Sequence, residues 1–217
     1  MTQYIIYFEL VAFLVSLLAL PVLWRDTSLK IFPLLLLITC AVEAHQFWIK
    51  FDQAEYNILI YNIHLLVEGL LYLLILYLSS AQREYRRIML VFALIFMLGW
   101  VLTTLFIYPS DRFNAAALSI EAVLLVMGIL LRFYEMLKSP TNFNFLKNPF
   151  FYMLFALMLF QVGTLPFFTM GNWLYYEMGQ YDAVAALYRV VSILNFLLYS
   201  TYTFCFIWMR ITKLSYS

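Results

Sequence analysis

The chain has 217 residues, 65% of them hydrophobic and 20% aromatic, with 12% charged and a formal net charge of +1. A mean hydropathy of +0.89 excludes an ordinary soluble domain. The near-zero charge, without a dense Lys/Arg run or a glycine-rich phosphate loop, excludes a polyanion binder. Seven apolar stretches of about 20 residues each use up almost the whole length, so a single membrane domain over residues 1–217 is expected, with no room for a soluble catalytic or DNA-binding domain.

The fold class expected is all-α: a polytopic membrane protein of seven transmembrane helices. Span one is placed at 4–24; it lacks a basic n-region and is too long for an h-region, so it reads as a retained helix and not a signal peptide. Span two is placed at 31–49 with Pro33 in its first turn, where a missing N–H does little harm. Spans three, four and five are placed at 57–79, 88–108 and 115–137. Span six, 149–170, opens on Pro149 and carries Pro166 behind Gly163 and Thr164, where the ring frees the Val162 carbonyl and is expected to bend the helix. The joint 171–183 is rich in Trp and Tyr, as an interfacial segment is. Span seven is placed at 184–209. Cys40 and Cys205 fall inside apolar stretches and read as buried thiols rather than a disulfide.

Basic residues divide unequally between the two sets of joints. Arg25, Lys30, Arg83, Arg86, Arg87, Lys138, Lys147, Arg210 and Lys213 fall on one side, and only Lys50 and Arg112 on the other. By the positive-inside rule the N-terminus is expected outside and the C-terminus inside. Asp52, Glu55, Asp111, Glu177 and Asp182 then occupy the outer joints.

Within that topology Glu9, Glu43, His45, His64, Glu121 and Arg189 all lie in the outer half, and Glu68 lies near the midplane. A charge in hydrocarbon costs on the order of 3 kcal/mol by insertion scales. Four carboxylates against one arginine cannot neutralise one another by pairing, so the group must hold protons or bind a cation. Asn57, Tyr61, His64, Glu68 and Tyr72 recur at steps of four and three, which gathers them on one face of span three. On span two, Glu43 shares a face with Thr39, Cys40 and Gln46, whereas His45 is rotated by about 200° from it. Tyr188, Ser192, Asn195 and Tyr199 form a polar stripe on span seven with Arg189 at its edge. Such stripes face other helices, because lipid offers them no partners.

Several chemistries are open at this point. The ligand or ion pocket is expected from Glu43, His64, Glu68, Glu121, Arg189, Asn195 and Tyr199. A zinc site would draw on His45, His64 and Glu68, but only if span two turns His45 inward and Glu43 away. A haem between His45 and His64 is sterically conceivable. No Ser or Cys lies within one turn of a histidine on the same face, which argues against a nucleophilic triad. The inner halves read as almost wholly apolar, which favours a pocket open to one side over a through-going transport path. Each polar group also has a purely structural reading: Glu9 as an interfacial residue, Arg189 as a bridge to Glu43, Glu68 or Glu121, and His64 with Glu68 as a pair fixing span three.

Glu43 on span two, the segment Tyr61-Asn62-Ile63-His64-Leu65-Leu66-Val67-Glu68, the joint Leu146-Lys147-Asn148-Pro149-Phe150-Phe151-Tyr152 and the pair Asn195-x-x-x-Tyr199 together resemble a family of small seven-span membrane proteins common in Bacteroidota. Tyr152 departs from the pattern, which usually has a different aromatic there. The resemblance covers most of the chain and implies a location in the bacterial inner membrane; it implies no particular activity. The leading expectation is a receptor-like or sensory module with an outer-facing acidic pocket for a small cation, an amine or a proton. It would act through a membrane or cytoplasmic protein partner at the basic inner segments 82–87, 138–147 and 210–217. The alternatives are a metal-dependent enzyme acting on lipid, with His64, His45, Glu68 and Glu121 as ligands or bases, and a non-catalytic accessory subunit of a membrane complex. Proton-coupled transport stands behind these.

Overall fold

The computed structural model describes residues 5–48, 54–108, 112–138 and 147–212. Lys50, Asp52, Asp111, Leu146 and Lys213 lie outside the described residues, as do the side chains of Gln46, Glu55 and Asn57. The described chain is helical throughout: α1 (Ile5–Leu23), α2 (Phe32–Trp48), α3 (Ala54–Ser79), α4 (Arg83–Phe106), α5 (Ala115–Lys138), α6 (Pro149–Asn172) and α7 (Tyr181–Thr212). A short 3-10 turn, Leu29–Ile31, precedes α2, and a π-helical turn, Trp173–Glu177, follows α6. Six helices are long and apolar enough to cross a membrane, and the chain is a multi-pass membrane protein. The exception is α2, at 17 residues.

Each helix packs on its neighbours in sequence, and α7 returns to α1, closing a ring. Helix α4 sits outside the ring, against α3 and α5, which also touch each other. Its outward face, including Leu98, Leu102, Leu105 and Phe106, is exposed and apolar, as a surface in contact with lipid tails must be.

Two glycines set the register of α3, α4 and α5. Gly69 of α3 lies against Phe96 of α4 and Glu121 of α5, and Gly128 of α5 lies against Leu76 of α3 and Met89 of α4. On each helix the two contacts are separated by two turns, so α3 and α5 run parallel and α4 antiparallel. Phe8 at the start of α1 meets Phe196 at the middle of α7 edge-to-face at 4.7 Å, and Phe32, beyond the end of α1, meets Tyr202 and Phe206 nearer the end of α7, so α1 and α7 run in the same direction. Successive helices therefore alternate. The described joints α1–α2 and α3–α4, the ends of α5 and α7, and the start of α6 all lie on one face. That face carries Arg25, Lys30, Arg83, Arg86, Arg87, Lys138, Lys147 and Arg210, and it is called the basic face below.

The predicted spans match the helices to within three residues except at the start of α4. Helix α4 begins at Arg83, five residues before the predicted start, and α7 runs from Tyr181 to Thr212, longer at both ends. The early start of α4 has a cause on another helix. Gln82 at the N-cap makes no side-chain cap; instead the buried Glu135 of α5 accepts from the backbone N–H groups of Ala81 and Gln82 at 2.8 and 2.9 Å. Arg132 donates to the other Glu135 oxygen at 2.7 Å. Nearby, Asp26 accepts from the backbone N–H and the hydroxyl of Ser28 at 2.8 and 2.7 Å, fixing the entry to α2. The basic-face half of the bundle is thus not wholly apolar: it contains carboxylates used as caps. Pro33 and Pro149 stand at helix starts as expected, and the Asn148 side chain caps α6 by accepting from Phe150 N. Helix α6 continues through Pro166 to Asn172.

Candidate functional site

The half of the bundle opposite the basic face holds the carboxyl cluster. Glu9 lies little more than a turn inside α1, yet it is only 3% exposed. Its side chain is therefore enclosed by protein. Its carboxylate faces Glu43 of α2 and Glu68 of α3, with the Tyr199 hydroxyl of α7 alongside. Its Oε2 has no hydrogen-bond partner among the described residues.

Glu43 accepts from the Tyr61 hydroxyl at 3.2 Å, joining α2 to α3, and it also faces His64 and Glu68. One turn on, His64 Nε2 lies 3.4 Å from Glu68 Oε2, the pairing that the four-residue step predicts. The other ring nitrogen of His64, Nδ1, is buried without a partner among the described residues. Glu68 itself is the meeting point of the cluster, since Glu9, Glu43 and Glu121 all face it. Its side chain is 25% exposed although it lies in the middle of α3. A carboxylate exposed at that depth needs water or a ligand beside it, because hydrocarbon cannot solvate it.

Glu121 ends the cluster at its deepest point. Only 3% exposed, it lays its carboxyl carbon over Gly69, so that a Cβ there would stand 2.9 Å from it. Gly69 has a definite purpose: its missing side chain makes the niche that admits the Glu121 carboxyl between α3 and α5. Three residues beyond Gly69, Tyr72 meets the Tyr202 hydroxyl of α7 at 3.4 Å, and both rings are fully buried. The aromatic pairs Tyr199–Tyr202 and Phe32–Tyr202 close the space below.

The structure thus brings together Glu43, His64, Glu68, Glu121 and Tyr199 from the predicted pocket and adds Glu9 and Tyr61. It does not bring in Arg189, which is exposed on α7 and forms no ion pair with a described residue. Asn195 is half-buried one turn from Tyr199, on the same face of α7. His45 is half-buried on α2. Among the described residues no three His, Cys, Asp or Glu side chains stand close enough to share one metal ion, so His45, His64 and Glu68 are not gathered as a zinc set. The thiols of Cys40 and Cys205 are both free.

A second polar group at this end of the bundle went unread in the sequence. Asn62 accepts from Asn114 N at 2.9 Å and donates to the Arg112 carbonyl at 3.2 Å, while its own carbonyl accepts from Trp100 Nε1 at 2.9 Å. Asn114 donates to the hydroxyls of Thr103 and Thr104 and caps α5 by accepting from Ala117 N at 3.0 Å. This network ties α3, α4 and α5 together on the face of α3 that also carries Gly69 and, two turns deeper, Glu121, while Tyr61, His64 and Glu68 stand on the adjacent face. Asn62 is one residue, about 100°, away from Tyr61 around the helix. The sequence signal was therefore available: α3 has polar residues on two faces, and a helix of that kind has protein on both. Comparison of the chain with family models, with curated proteins and with solved structures returned no match.

Proposed function

We propose that this protein is a receptor-like or sensory seven-span module of a bacterial inner membrane, with the N-terminus outside and the basic face toward the cytoplasm. Its carboxyl pocket binds a small cation, an amine or a proton, and the occupied state is passed to a protein partner at the basic face. One observation carries this reading: the Glu9 carboxylate is 3% exposed, faces two further carboxylates, and has an oxygen with no hydrogen-bond partner among the described residues. A buried carboxyl oxygen left without a hydrogen bond costs about 1–3 kcal/mol. Such an arrangement is kept where something arrives to satisfy it.

The unequal distribution of Lys and Arg supports the orientation, and the exposure of Glu68 supports access to the pocket. The test is direct binding to the purified chain in lipid nanodiscs, by calorimetry, for a panel of sodium, calcium, zinc and butylamine. Saturable binding of at least one of them, lost in Glu9→Gln and Glu68→Gln, is expected. A folded protein that binds none of the panel, with melting behaviour the same in both variants, refutes the pocket.

A further inference from the structure

Helix α4 lies outside the ring, so much of its surface meets no other helix of the bundle. Arg83, Arg87, Leu90, Leu94, Leu98 and Val101 follow one another at steps of four and three, which places them on one side of α4, and all six are exposed. The opposite side carries Met89, Phe92 and Phe96, which are buried. The outward side is therefore apolar for about four turns and ends, at the basic face, in two guanidinium groups one turn apart. Neither Arg83 nor Arg87 forms an ion pair with a described residue, and like charges at this spacing repel. Glu84, the one acid of this turn, is rotated by about 100° from Arg83. Arg86 adds a third cation held in place: its Nε donates to the Ser80 carbonyl at 2.7 Å, and its guanidinium lies 5.8 Å from the centre of the Tyr77 ring. The same order recurs on the neighbouring α5, where Met127, Leu130 and Tyr134 are exposed and Lys138 follows, its Nζ 4.6 Å from the centre of the Tyr134 ring.

A second transmembrane helix is a poor match for this surface. Helices in a membrane approach closely over small residues, and those of α4 point elsewhere: Gly99 lies against Ile120 of α5, and Ala93 packs on the core. A phospholipid matches it from end to end. Its chains suit the leucines, and guanidinium groups bind phosphate oxygens in pairs while their stems lie along apolar surface. We propose that the outward side of α4 binds an anionic phospholipid of the leaflet on the basic face, with the phosphate between Arg83 and Arg87 and the chains along Leu90, Leu94 and Leu98. A zwitterionic lipid offers the same phosphate, but its own ammonium group meets the surplus positive charge of Arg86. The site lies at the opposite end of the bundle from the carboxyl pocket and does not depend on it.

The test is photocrosslinking of the full chain in nanodiscs that carry a trace of phosphatidylglycerol or of phosphatidylcholine, each with a diazirine in the chain, with the adducts located by peptide mass. At equal mole fraction, phosphatidylglycerol is expected to label residues 88–98 on the order of tenfold more than phosphatidylcholine. The ratio should fall to within about twofold in the double variant Arg83→Gln/Arg87→Gln. Arg87→Gln alone, expected to lie between, serves should the double variant fail to fold. Arg25→Gln/Lys30→Gln removes the same charge from the α1–α2 joint and should leave the ratio as in the wild type. Equal labelling by the two lipids overturns the site, and an equal fall in the Arg25/Lys30 variant overturns it in favour of diffuse attraction to the whole basic face. Loss of the phosphatidylglycerol label on adding a soluble oligoglutamate overturns it in favour of an acidic protein segment at the same arginines.

Discussion

Glu135 is the most sharply testable residue outside the cluster, because its carboxylate does two structural tasks at once. Glu135→Ala removes the acceptor of two N–H groups at the start of α4 and the partner of the Arg132 guanidinium, whose side chain is 11% exposed. Losing one partner of a buried ion pair costs about 3–5 kcal/mol, and losing a helix cap about 1 kcal/mol. Ala81 and Gln82 are exposed, so water takes over most of the cap, and the expected net loss is about 3–5 kcal/mol. Arg132→Met leaves Glu135 with its two backbone donors and should cost less, about 1–2 kcal/mol. The double variant should cost at least 1 kcal/mol less than the sum of the singles, since the arginine no longer lacks a partner. Equilibrium unfolding in mixed micelles measures these values, and amide exchange at residues 83–87 locates them: protection there should fall in Glu135→Ala and persist in Arg132→Met. An Ala variant as stable as the wild type, or unchanged exchange at the start of α4, refutes the cap.

Gly69→Ala places a Cβ 2.6 Å from Phe96 Cε1 and 2.9 Å from the Glu121 carboxyl carbon, with Phe96 itself fully buried. Overpacking of about 1–3 kcal/mol, less about 1 kcal/mol of helix propensity, predicts a net loss of up to about 2 kcal/mol, relieved when Phe96→Leu is added; unfolding of the two variants measures it. Asn114→Ala loses the cap of α5 and two bonds to threonine hydroxyls, and unfolding should show a cost of about 2–3 kcal/mol. Tyr202→Phe loses only the long 3.4 Å contact with Tyr72 and should cost less than about 1 kcal/mol in the same assay.

What was legible in the sequence follows from which forces act locally. Helix existence follows from hydropathy along the chain, and the polar face of α3 follows from its own periodicity, so Tyr61, His64 and Glu68 were found together. Features that need a second helix were harder to read. The start of α4 depends on Glu135, more than fifty residues away in sequence, so the basic run Arg83–Arg87 read as a joint when it is the first turn of a helix. Glu9 read equally as an interfacial residue or as a member of the carboxyl group, and its enclosure beside Glu43, Glu68 and Tyr199 became visible only in the fold. Arg189 belongs to the polar stripe of α7 by spacing, but it turns outward. A rotation of one residue around a helix separates a pocket from a surface, and spacing within one helix does not fix which neighbour each face meets.

Glu135 and Glu9 are both buried carboxylates, and the contrast between them separates structure from binding. Every hydrogen bond expected of Glu135 is present: two backbone donors on one oxygen and a guanidinium on the other. Glu9 faces two more carboxylates and has an oxygen with no described partner. The same chemical change should therefore have opposite signs. Glu135→Gln keeps one acceptor oxygen but loses the charge that holds Arg132, and should destabilise the protein by about 1–2 kcal/mol. Glu9→Gln removes a source of repulsion from Glu43 and Glu68 while keeping the shape, and should stabilise the ligand-free protein by about 1 kcal/mol. Unfolding of both variants without added cation, beside the wild type, measures the two signs. If Glu9→Gln destabilises as Glu135→Gln does, Glu9 is a structural carboxylate with an internal partner, and the pocket loses its strongest argument.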